Sequence, residues 1–62
     1  MKKQEYFFMF EGGGWNSVIT SSLKEAKIQA VKQWGELTPR LDTVKPVEGN
    51  EREYEALMRA FY

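Results

Sequence analysis

The sequence predicts an α+β domain of order ββαβα, with a three-stranded, mainly antiparallel sheet of order 2-1-3 packed against two helices. Three observations carry this. Tyr6-Phe7-Phe8-Met9-Phe10 is an aromatic run too short for a helix, and three glycines follow Glu11 directly after it. Ser22-Leu23-Lys24-Glu25 is a capping signal that opens an apolar repeat of helical period. A second helical repeat, Tyr54, Leu57, Met58 and Phe61, closes the chain after a stretch broken by Pro46 and Gly49.

The first strand, Tyr6 to Phe10, is apolar on both faces and is expected at the centre of the sheet. Alternation sends Tyr6, Phe8 and Phe10 to one face and Phe7 and Met9 to the other. Gly12 to Gly14 supply a turn, because glycine accepts positive φ without a steric penalty. Trp15 to Thr20 returns as the second strand of a hairpin. Ser22 caps a helix from Leu23 to about Trp34, in which Leu23, Ala26, Ala30 and Trp34 share one stripe with Val31 on its flank, and Gly35 is placed to end it. Leu41 to Val47 reads as a weaker third strand. Pro46 cannot donate to a ladder, which puts that strand at an edge. A right-handed crossover through the helix makes strand three parallel to strand two, and the fully apolar strand one takes the middle. Asn50, with Glu53 three residues on, is the expected cap of a final helix from about Glu51 to Phe61.

Sixty-two residues make one domain, residues 1–62. A chain of this size buries only ~60% of the surface that its unfolded form exposes, so a dense aromatic core matters. Four Phe, three Tyr and two Trp supply one. The absence of cysteine excludes a disulfide framework, and the absence of histidine removes the commonest metal ligand and general base. No cofactor or metal site is expected. The chain is formally neutral, which argues against an electrostatic grip on duplex nucleic acid. Its charge is unevenly spread, with five lysines against three glutamates in residues 1–34 and four basic against six acidic groups in residues 35–62. No apolar stretch reaches the ~18 residues of a membrane span, and Lys2-Lys3 before Tyr6 to Phe10 is too short for a signal peptide, so a cytoplasmic location is expected.

No constellation of catalytic residues stands out. The Gly12 to Gly14 triplet leads into a strand rather than a helix and is not followed by Gly-Lys-Ser or Gly-Lys-Thr, so a phosphate cradle is disfavoured. The carboxylates Glu11, Glu36, Asp42 and Glu48 show no spacing that selects an acid–base pair, and Ser17, Ser21 and Ser22 have no histidine to activate them. The expectation is a non-enzymatic protein-binding module. If both helices pack on one side of the sheet, the other face displays large apolar side chains. The candidate interaction surface is then Tyr6, Phe7, Met9, Trp15 and Trp34. The alternative is that the second helix or a second copy covers that face and these residues are core. Two further readings stay open: stacking of single-stranded bases on the sheet aromatics, aided by Lys2, Lys3 and Lys45, and a structural homodimer paired through sheet faces or edges.

The succession of the aromatic strand, the glycine turn into Trp15-Asn16-Ser17-Val18, then Ser22-Leu23-Lys24-Glu25-Ala26 and the terminal Tyr54-Glu55-Ala56-Leu57-Met58 resembles small orphan proteins of tailed bacteriophages and prophages. The resemblance spans most of the chain and rests on pattern rather than on a specific motif. It implies a modulator that binds and redirects a host protein, in the host cytoplasm. The first hairpin and helix also look faintly like antitoxins of the HicB type. The chain lacks the Pro-Gly segment that precedes the helix in those proteins, and nothing is carried over from them.

Overall fold

A computed structural model describes residues 2–61, apart from the side chain of Phe61. It shows strand β1 (Gln4–Met9), strand β2 (Trp15–Thr20), helix α1 (Leu23–Trp34), a two-residue strand β3 (Lys45–Pro46) and helix α2 (Glu51–Phe61), with 3-10 turns at Gly35–Leu37 and Leu41–Thr43. The sheet order is β2-β1-β3. β1 is antiparallel to both neighbours, so β3 runs parallel to β2, as the crossover argument requires.

The β1–β2 hairpin is in register with Phe7 opposite Ser17 and Met9 opposite Trp15. Its turn is closed by the Phe10 N–H donating to the Gly14 carbonyl and the Gly13 N–H to the Phe10 carbonyl, both at 3.1 Å. Gly13 and Gly14 hold φ of +98° and +88°, which is why this turn is written in glycine. Phe10 lies just beyond β1 and forms an isolated bridge with Pro39.

α1 begins where the capping residue predicts. The Glu25 N–H donates to Ser22 Oγ at 3.1 Å. The Glu25 carboxylate turns along the helix instead and accepts from Gln29 Nε2 at 3.4 Å. Gly35 does not supply the left-handed stop: it stays right-handed and carries the chain into a 3-10 turn. The left-handed residue is Thr38, at φ +51°, whose N–H donates to the Gly35 carbonyl at 3.2 Å.

The third strand is far shorter than the expected Leu41 to Val47. Thr43 explains the loss. Its Oγ1 accepts from the Met9 N–H at 3.0 Å and donates to the Arg40 carbonyl at 2.6 Å, while the Arg40 N–H donates to the Met9 carbonyl at 2.7 Å. A side chain thus takes over one rung of the ladder and lets the backbone coil. Pro46 sits on the edge strand, as its missing N–H demands.

The helices pack on opposite faces of the sheet. α1 covers Tyr6, Phe8 and Phe10, and the core there is completed by Val18, Val44 and the helix residues Ala26 and Ala30. Both alanines are fully buried, so the helix backbone lies close over the sheet. Trp34 closes the end of this layer, with ring centroids 5.6 Å from Phe8 and 6.4 Å from Phe10. α2 lies across the other face, above Phe7.

Candidate interaction surface

The face beneath α2 is the one that sequence alternation assigned to Phe7 and Met9. Tyr54 is its centre. Its ring packs on Phe7 with centroids 5.5 Å apart and on Trp15 with centroids 5.4 Å apart, and its hydroxyl donates to Glu5 Oε2 at 2.9 Å. The same oxygen accepts from Ser17 Oγ at 2.7 Å, so the Glu5 carboxylate ties β1, β2 and α2 together. Lys45 Nζ meets Glu53 at 2.8 Å across the edge, a partly exposed ion pair that contributes little to stability. The Asn50 side chain turns back to β3, donating from Nδ2 to the Pro46 carbonyl at 2.9 Å, and Glu51 accepts from the Gly49 N–H at 3.0 Å. The Gly49 bond ties the Glu51 carboxylate to the loop, and its carboxyl is lowered below its ordinary range by the Gly49 N–H first and its own N–H second.

This placement corrects the expectation of an open aromatic face. Phe7 is 1% exposed and Tyr6 is equally sealed on the α1 side. Met9, Trp15 and Trp34 are half-buried and packed inside the domain. The aromatic rows therefore form no open platform for stacking bases, and Lys45 is already engaged by Glu53. What stays open on the α2 side is Ile19 of β2, 70% exposed. The α2 layer is thin: of residues 51–60 only Tyr54 and Leu57 are partly buried, and Met58 is exposed. Phe61, the last residue of the predicted apolar stripe, has a side chain outside the described set.

A second apolar surface lies on the outer flank of α1. Ile28 is 42% exposed and Val31 50% exposed. With Leu41 from the 3-10 turn they line a shallow hollow of about 330 Å³, bordered by Lys27 and Lys32. A second hollow of about 550 Å³ shares Val31 and Lys32 and continues past Trp34 to Leu37, which is 57% exposed. The two form one stripe along the helix and around its C-terminal turn. Sequence reading placed Val31 on the flank of the core stripe and passed over Ile28. The available signal was spacing: Ile28 is four residues after Lys24 and three before Val31, an apolar side chain among lysines on the helix side away from Ala26 and Ala30.

Among the described residues no group of His, Cys, Asp and Glu is arranged to hold a metal ion, and no helix is long and apolar enough to cross a membrane. Neither a protein-family model, nor a curated protein, nor a solved structure matches this chain.

Proposed function

We propose that the chain is a non-enzymatic protein-binding module that engages its partner through the outer flank of α1. The observation that carries this reading is the exposed stripe of Ile28, Val31 and Leu37, bordered by the partly buried Leu41, in a domain that has buried Phe7 and Phe8 on the two faces of its aromatic strand. A small chain has few large apolar side chains to place, and a cluster left in solvent beside a packed core favours association over internal stability. The likeness in pattern to small phage and prophage proteins supports a host protein as the partner and the host cytoplasm as the setting.

The test is site-specific photo-crosslinking in bacterial cells. A photoreactive residue at Val31 is expected to trap one discrete adduct, absent when the same residue is placed at Glu55 on α2. Loss of that adduct on Ile28→Ser ties it to the stripe. No adduct at Val31, or identical adducts from both positions, would reject the reading.

A further inference from the structure

The α1 stripe is apolar along its floor and basic along its borders. Lys27 stands beside the first hollow on the side of the core, and Lys32 stands between the two hollows. Lys24 precedes Ile28 by one helical turn on the same flank. Among the described residues none of these three lysines forms an ion pair; the two salt bridges join Arg40 to Asp42 and Lys45 to Glu53. Glu25, the one acid of α1, lies one turn before Ile28 but lines neither hollow, and its carboxylate accepts from Gln29. Glu36 is the exception in sign, and it borders only the second hollow.

We propose that the stripe receives an acidic amphipathic helix of a partner protein. This rests on the reading of the chain as a binding module and names the chemistry of its partner. The occupant's apolar residues, spaced three and four apart, lie over Ile28, Val31 and Leu41, and its carboxylates flank them to meet Lys27 and Lys32. A groove running along one helix suits a second helix packed against it, because ridges of side chains three and four apart interdigitate. The lysines act mainly on selection and on the rate of encounter, while the apolar floor supplies the contact. A symmetric pairing of two α1 flanks is the poorer occupant, since it would set Lys27 and Lys32 against the same lysines of the second copy.

Fluorescence anisotropy with three labelled synthetic peptides tests this. All carry the same leucine repeat on a helical frame, and the flanking positions are Glu, Gln or Lys. The Glu peptide is expected to bind at least tenfold more tightly than the Gln peptide. The preference should shrink as salt rises and vanish in Lys27→Gln/Lys32→Gln, whose two changes lie at the helix surface and leave the core intact. Equal binding of the Glu and Gln peptides would overturn the acidic partner while leaving the binding stripe in place. Failure of all three peptides would overturn both. Light scattering on the free protein supplies the other arm: self-association abolished by Val31→Ser would assign the stripe to a second copy and overturn the proposal.

Discussion

The ring of Tyr54 lies against that of Phe7, centroids 5.5 Å apart and planes inclined by 57°, and this pair joins α2 to the sheet. Tyr54 also packs on Trp15, Leu57 is half-buried, and the Lys45–Glu53 bridge is partly exposed. Tyr54→Phe keeps the ring and loses the hydrogen bond to Glu5, and is expected to cost about 1 kcal/mol. Tyr54→Ala removes the cover of Phe7 and Trp15 as well, and is expected to cost about 3 kcal/mol. Urea denaturation reads both values, and tryptophan emission should shift to the red in the alanine variant as Trp15 meets water. An alanine variant within about 0.5 kcal/mol of the parent would show that α2 does not dock through Tyr54.

Thr43 stands in for a backbone acceptor, and its replacement should report on that directly. In Thr43→Val the Met9 N–H loses its partner on the inner strand while side-chain volume is kept, with an expected cost of about 1–3 kcal/mol. Thr43→Ser restores the oxygen and should recover most of it. Hydrogen exchange at the Met9 amide is the local readout. Protection unchanged in the valine variant would mean that the rung is closed by another group.

The elements that follow a simple period were legible in the sequence. α1 spans Leu23–Trp34 as expected, α2 spans Glu51–Phe61, and the order β2-β1-β3 follows from the apolar run at β1 and Pro46 at the edge. Periodicity states which residues share a face, but not which face a helix will take. The connection from β3 decides that by sending α2 over Phe7, and this single choice turns the expected aromatic surface into core. Side-chain substitution for backbone bonding, as at Thr43, leaves no periodic trace, so β3 was overdrawn. α1 ends at Gly35 as expected, while the left-handed residue is Thr38, whose carbonyl accepts the Glu11 N–H at 3.1 Å, a long-range bond outside the reach of local propensity. The exposed stripe on α1 was hidden for the opposite reason: Ile28 and Val31 break the amphipathic pattern of α1, and the break itself is the signal.

The three turn glycines should not behave alike. Gly13 and Gly14 have positive φ, whereas Gly12 does not, and a Cβ at any of them would meet open space. Alanine at Gly13 or Gly14 therefore costs only through backbone strain, about 1–2 kcal/mol each. Alanine at Gly12 restricts the unfolded chain at no such cost and should be neutral or stabilising by up to about 1 kcal/mol. Thermal unfolding of the three single variants separates the cases. Equal destabilisation by all three would place Gly12 in a strained conformation as well.

Glu51 provides a local pH response at the start of α2. Its carboxylate is held by the Gly49 N–H and by its own backbone N–H, and both lower its pKa from the ordinary value of 4.5. A group whose folded pKa is depressed contributes stability that is complete above its unfolded pKa and disappears as pH falls through the lower folded value. The first turn of α2 should therefore loosen only below the ordinary carboxylate range. A titration followed by the Glu51 side-chain carbon shift and by the Gly49 amide should give one shared midpoint below 4.5. Glu51→Gln should remove that transition from the Gly49 amide while the other carboxylates titrate as before. A midpoint at or above the ordinary value would show that the Gly49–Glu51 hydrogen bond does not persist in solution, leaving the Asn50 bonds to Pro46 and Val47 to hold the loop that feeds α2.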